Sequence, residues 1–123
     1  MVRKYLVPAV VVVVAAAVYA TGAFARHAVT PTLVGTDGPG YTITLKMNSK
    51  AVKTLKAGTY KIVVHDKATI HGFSLDGPHG FAKDISPVPF TGTKTVTLKL
   101  KAGSYKFYCP SHESTMFGHF KAT

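Results

Sequence analysis

The chain reads as an all-β domain, its strands packed as a sandwich or closed as a barrel. Three observations predict this. Short alternating segments rich in β-branched and aromatic residues recur between Gly- and Pro-bearing turns. No stretch after residue 26 shows a helical period. One corner sequence occurs twice: Leu55-Lys56-Ala57-Gly58-Thr59-Tyr60-Lys61 returns as Leu100-Lys101-Ala102-Gly103-Ser104-Tyr105-Lys106. Two copies are too few for a repeat protein. They are expected to form equivalent turn-into-strand corners of a two-sheet fold.

The elements follow in order. Residues 26–36 carry little pattern and read as a lead-in, a linker or a first edge strand; the domain proper is expected over 37–123. Gly38-Pro39-Gly40 is a turn, and Tyr41 to Met47 alternates. Ala57-Gly58 turns into Thr59 to His65, where Tyr60, Ile62 and Val64 share a face. Ile70 to Leu75 is the next strand, followed by a Gly/Pro-rich loop from Asp76 to Gly92. Thr93 to Leu100 alternates again, with Val96, Leu98 and Leu100 on one side. Ala102-Gly103 turns into Ser104 to Cys109, and Phe117 to Ala122 is a short last strand.

The N-terminus differs in kind. Arg3 and Lys4 give a positive start, Tyr5 to Ala25 carries no charge, and Ala23-Phe24-Ala25 matches an A-x-A processing site. Residues 1–25 are therefore expected to be a secretory signal peptide cleaved after Ala25. The alternative is an uncleaved anchor through residues 5–25, just long enough to span a bilayer. Pro8, Tyr19, Thr21 and Gly22 make it a poor one. Either way the positive end stays inside and the remainder is exported, periplasmic or extracellular, free or tethered to the outer face of the cytoplasmic membrane.

The formal net charge is +10, and the cations are almost all scattered lysines; Lys46, Lys50, Lys53, Lys56 and Lys61 fall at strand and turn spacing. A solvated, soluble surface is the plain reading. Steering towards an acidic partner or an anionic membrane face is the functional one. No basic run interleaves with aromatics, which argues against nucleic acid.

The single cysteine, Cys109, cannot form an internal disulfide. In an oxidising compartment it needs protection, either by burial as a hydrophobe or by a metal. Its surroundings bear on the choice. In Tyr105-Lys106-Phe107-Tyr108-Cys109, alternation puts Tyr105, Phe107 and Cys109 on one face, and Lys106 marks the other as the solvent side. Pro110 ends the strand. The turn beyond supplies His112 and Met116, so a thiolate, an imidazole and a thioether fall within eight residues. These are soft or borderline ligands suited to copper. A second imidazole must come from elsewhere. In His71-Gly72-Phe73-Ser74-Leu75, His71 shares its face with Phe73 and Leu75, which turns it inward.

Each of these residues alone has a bland explanation: an inert buried thiol, loop residues, a satisfied core histidine. A sole cysteine at a strand end with His three and Met seven residues on is hard to obtain by accident. His65 is the alternative upstream ligand, although Asp66 beside it signals a turn. His27, His79 and His119 read as surface residues. A nucleophilic Cys–His pair would want an orienting third group and an open cleft, and the nearest acid, Glu113, has no assigned role. No residue is assigned to catalysis, and the chain is not expected to be an enzyme.

Cys109-x-x-His112-x-x-x-Met116, its preceding aromatic strand and the upstream His71-x-Phe73 resemble the cupredoxins, the plastocyanin-like and amicyanin-like small blue copper proteins. The likeness covers roughly residues 30–123. It implies a Greek-key β-sandwich with one copper ion, Cu(I)/Cu(II), at one end, held by His71, Cys109, His112 and Met116. It also implies one-electron transfer to a redox partner without substrate turnover. His112 would be the electron port, at the edge of an apolar patch that includes Pro110 and Phe117. The single Cys109 excludes a binuclear copper centre built on two thiolates. Two places depart from the family. Gly72 stands where many relatives carry a bracing Asn, and Pro110 and Ser111 replace the usual residues between Cys and His. The Ser111 and Gly72 amides are then candidate donors to the thiolate. A type 1 site with weaker bracing between loops is expected, its spectrum between blue and a more tetragonal green. The chain is expected to be a monomer.

Two other classes stay open at this point. One is an exported copper-binding module for delivery, storage or sensing. Beyond the leader it would have only Met47 and Met116 as thioethers, few for a Met-rich carrier. The other is a metal-free β-sandwich accessory domain.

Overall fold

The computed structural model describes residues 14–19 and 22–123. The expected leader or anchor lies largely outside the described residues. Those described before Thr32 form no helix or strand and are exposed. No described helix is long and apolar enough to cross a membrane.

The domain is a sandwich of two five-stranded sheets. The first runs, in spatial order, β3 (Lys50–Ala51), β2 (Ile43–Met47), β1 (Thr32–Asp37), β5 (Gly58–Asp66) and β8 (Gly92–Leu100). The second runs β4 (Thr54–Leu55), β10 (Phe117–Ala122), β9 (Gly103–Tyr108), β6 (Phe73–Asp76) and β7 (Ala82–Ser86).

Two expectations are corrected. The segment read over residues 26–36 as a lead-in or edge strand ends in an interior strand. β1 pairs antiparallel with β2 and, along its whole length, parallel with β5. Its inward positions are Leu33, Gly35 and Asp37, and a glycine and an aspartate hide the alternation. The loop expected from Asp76 to Gly92 contains a 3₁₀ turn, Pro78–Gly80, and β7. As an edge strand β7 exposes Ala82, Lys83 and Asp84 and buries only Ile85 and Ser86, so it lacks an apolar period.

The repeated corner sequence builds the same corner once in each sheet. Tyr60 donates its hydroxyl proton to the Lys56 carbonyl at 2.7 Å, and Tyr105 donates to the Lys101 carbonyl at 2.8 Å. Each phenol ring is buried, so its hydroxyl needs an internal acceptor. The carbonyl four residues back supplies one and fixes the angle at which the strand begins.

Between the sheets, Leu33, Ile62, Val64 and Leu100 meet Phe73, Leu75, Tyr105, Phe107 and Phe120. Each such side chain contributes about 1.5–3 kcal/mol on burial. Two ring pairs stack nearly parallel: Phe73 with Phe107 at 5.9 Å, and Tyr105 with Phe120 at 4.9 Å. β6 and β9 pair antiparallel, with Leu75 opposite Phe107. The start of β6 therefore lies beside the end of β9. The residues just before Phe73 and just after Tyr108 emerge at the same end of the sandwich.

Tyr60→Phe and Tyr105→Phe should each lower unfolding stability by about 1 kcal/mol, the net worth of one hydrogen bond. Being in separate sheets, the two losses should add. Urea midpoints of the single and double variants check this.

Candidate metal centre

His71 and Cys109 occupy those two emergent positions, and both are 0% exposed. The chain after Cys109 folds into a small closed loop. The His112 amide donates to the Cys109 carbonyl at 3.1 Å, the Met116 amide to the His112 carbonyl at 2.8 Å, and the Cys109 amide to the Met116 carbonyl at 3.0 Å. These bonds return Met116 to the side of Cys109. Met116 is 1% exposed and lies outside the main cluster of packed core side chains. Glu113, without a role in the sequence, forms an ion pair with Lys106 at 2.8 Å and ties the loop back to β9.

Three donor atoms converge. The Nδ1 atoms of His71 and His112 are 3.2 Å apart, and Cys109 Sγ lies 3.9 and 3.7 Å from them. All three lie within 4.8 Å of one another. Metal bonds of about 2.0–2.1 Å to imidazole and about 2.3 Å to thiolate, at trigonal angles, would separate the donors by roughly 3.5–3.8 Å. The observed triangle matches that closely. Two imidazoles and one thiolate, with a thioether in the same closed loop, form the set that suits copper. The cluster fits one copper ion.

The other histidines take no part. His65, the alternative upstream ligand, is exposed on β5 with its Nδ1 3.1 Å from the Thr93 hydroxyl. His27, His79 and His119 are also exposed. Among the described residues the thiol's partners are the two imidazoles; the Ser111 and Gly72 amides, expected as donors, are not among them. Phe117 is 47% exposed but sits on the outer face of β10, its ring edge-on to His119 and under the Lys106 ammonium.

The structure explains the departure at Gly72. A Cβ there would lie 2.7 Å from the Ser86 carbonyl oxygen and 2.9 Å from Val88 Cγ2. β7 passes so close that only a residue without a side chain fits. Bracing between the ligand loops cannot start from this position.

Sequence reasoning also missed a buried acid pair at the neighbouring end of the first sheet. Asp37 and Asp66 are register partners on β1 and β5. Asp66 accepts from the Ser86 hydroxyl and from the Ala68 amide. Neither carboxylate oxygen of Asp37 has a donor. Burial first, then hydrogen bonding to Asp66 and its charge, push Asp37 up to about 7. A proton on Asp37 is the donor the pair lacks. In the sequence Asp66 looked like a turn signal, and Asp37 had no assigned role.

No known family's sequence profile matches the chain, and no curated protein matches it. Solved structures do. The architecture is the cupredoxin β-sandwich, with the His–Cys–His cluster at one end. Several of the matching structures are of the copper protein rusticyanin. A crystal structure of it aligns with a TM-score of 0.55 at 19% identity, over 75% of this chain and 76% of that one. The reduced form solved by NMR aligns with a TM-score of 0.53 at 20% identity over the same shares. Rusticyanin from Thiobacillus ferrooxidans aligns with a TM-score of 0.51 at 21% identity, again over 75% and 76%.

Gly72→Ala should cost roughly 1–3 kcal/mol, because the added methyl meets a backbone carbonyl that cannot move aside; thermal unfolding of the metal-free protein checks this. Asp37 gives a pH dependence. Its folded value lies above the ordinary 3.8, so the folded state holds the extra proton between the two values. That stability is complete below 3.8 and is lost as pH rises through about 7, at no more than about 1.4 kcal/mol per pH unit for one proton. Against Asp37→Asn, which cannot ionise, the metal-free wild-type protein should lose stability from pH 4 to 8.

Proposed function

We propose that the chain is a mononuclear type 1 copper protein that carries single electrons outside the cytoplasm. The observation that carries this reading is the convergence of two imidazole Nδ1 atoms and one thiol Sγ, from the His71 segment and the Cys109–Met116 loop, 3.2 to 3.9 Å apart. His71, Cys109 and His112 would hold the ion, and Met116 would supply a weaker thioether ligand. When bound, the copper alternates between Cu(II) and Cu(I) and so accepts and donates one electron.

The protein's part is to hold ligands and shape access. Cys109 and His71 are sealed, and His112 is partly exposed. An electron would therefore pass through the His112 edge. Exposed apolar side chains stand at this end, among them Tyr41, Ile70 and Val88, and Pro110 joins Val88 beside Gly72. They are the proposed contact surface for a redox partner protein, and the basic charge favours a partner with an acidic docking face. Export follows from the leader-like residues 1–25, cleaved or retained as a tether. The sealed thiol favours a resident ion over one handed on to another protein, which sets electron transfer above copper delivery. Glu113 is engaged by Lys106 rather than by His112, so the Cys–His pair lacks the orienting acid that nucleophilic catalysis would use.

Purified protein titrated with Cu(II) should take up one ion per chain and develop an intense sulfur-to-copper charge-transfer band. Ascorbate should bleach it and air or ferricyanide restore it. Cys109→Ser should abolish the band. A variant that kept the colour, or a wild-type protein that never developed it, would sink the proposal.

A further inference from the structure

Tyr41 is 58% exposed, yet its ring is placed with care. Its centroid lies 4.9 Å from that of His112 at an interplanar angle of 87°, and 5.4 Å from that of His71 at 72°. The imidazoles are themselves 5.0 Å apart at 79°. Three rings thus stand close to perpendicular in pairs, and the tyrosine touches both histidines in the edge-to-face manner that aromatic quadrupoles favour.

The backbone fixes this placement. The turn carrying Tyr41 is closed by the Gly38 amide donating to the Thr42 carbonyl at 2.9 Å. Gly38 has φ +69, and a Cβ there would lie 3.0 Å from His71 Cδ2. Only glycine meets both demands, the left-handed backbone and the close approach. The turn therefore lies directly against the His71 ring, and its tyrosine reaches on to His112.

The histidine pair needs such a hold. A ligating imidazole is ordinarily oriented by a hydrogen bond on its other nitrogen. His71 Nε2 is buried and has no partner among the described residues. Gly72 has no room for a bracing side chain. What fixes the two rings is what packs against them.

We infer that Tyr41 is a positioning residue of the metal centre: its ring braces the His71 loop against the His112 loop and covers the solvent side of the imidazole pair. The inference rests on the copper reading above for the identity of the metal. It assigns the work to the ring and none to the hydroxyl, so phenylalanine should substitute and alanine should not.

Tyr41→Phe and Tyr41→Ala test this. In metal-free protein, the ring-proton NMR resonances of His71 and His112 should keep their positions in Tyr41→Phe and move and broaden in Tyr41→Ala. In the Cu(II) form, added azide should bind Tyr41→Ala about tenfold more tightly than wild type, the scale of one aromatic edge contact. The charge-transfer band ratio should change with it, while Tyr41→Phe matches wild type in both. Unchanged imidazole resonances in Tyr41→Ala would overturn the inference, as would a Tyr41→Phe protein that behaves like Tyr41→Ala. If the wild-type protein forms no coloured copper site, the copper reading fails separately. The metal-free resonances then decide on Tyr41 by themselves.

Discussion

The arrangement depends on the pairing of β6 with β9 and on the stacked Phe73 and Phe107 rings beneath it. His71 precedes Phe73 by two residues, and Cys109 follows Phe107 by two. The antiparallel register fixes how far apart the two strand ends can be, and the stack, 5.9 Å between centroids, locks that register from the core side. Phe73 also lies on the backbone of Gly35, so the first sheet is keyed to the same pair. The imidazole and the thiol are neighbours before any metal arrives. His112 comes from one closed loop whose own amides return Met116 to Cys109. A metal centre assembled this way costs little reorganisation on binding, because the order has already been secured by apolar packing.

The parts of the fold legible in the sequence are those whose physics is local. Alternation in residues 59–65, 93–100 and 104–109 is strong because those strands turn one face of large apolar side chains to the core, fully buried on β5 and β9 and half-buried at Val96 and Leu98 on β8. The Cys109, His112 and Met116 grouping was legible for the same reason: a strand end and a tight loop place them together without help from distant residues. His71 could be read from the face it shares with Phe73 and Leu75. β1 and β7 were not legible. Their roles come from partners far along the chain, parallel pairing for one and edge pairing for the other. Gly72 looked like a missing brace in the sequence and is a packing requirement in the structure. Tyr41 carried no signal at all, since its contacts join residues 30 and 71 positions further on.

The two acids at the opposite ends of β1 and β5 from their starts illustrate a further limit. Asp66 read as a polar turn residue and Asp37 had no assigned role, yet both are buried. A carboxyl inside a protein is tolerated when it stays neutral or finds donors. Asp66 finds them in Ser86 and Ala68, and burial beside Asp66 pushes Asp37 up, so that it holds its proton to higher pH than an ordinary carboxyl. Which member of such a pair more readily ionises is set by hydrogen-bond supply, and that supply comes from Ser86 on β7 and from Ala68 in the turn after β5.

The sheet borders give the lysines a second meaning. β3 and β4, at one border of each sheet, are two residues long. β8 and β7, at the other borders, carry Lys94 and Lys99, and Lys83. Unpaired strand edges are templates for another chain, and short length and lysine are two ways of refusing it. Part of the positive charge that reads as a steering field thus sits where it keeps one molecule from zipping onto the next. Such borders give a second copy of the chain little open edge to extend either sheet.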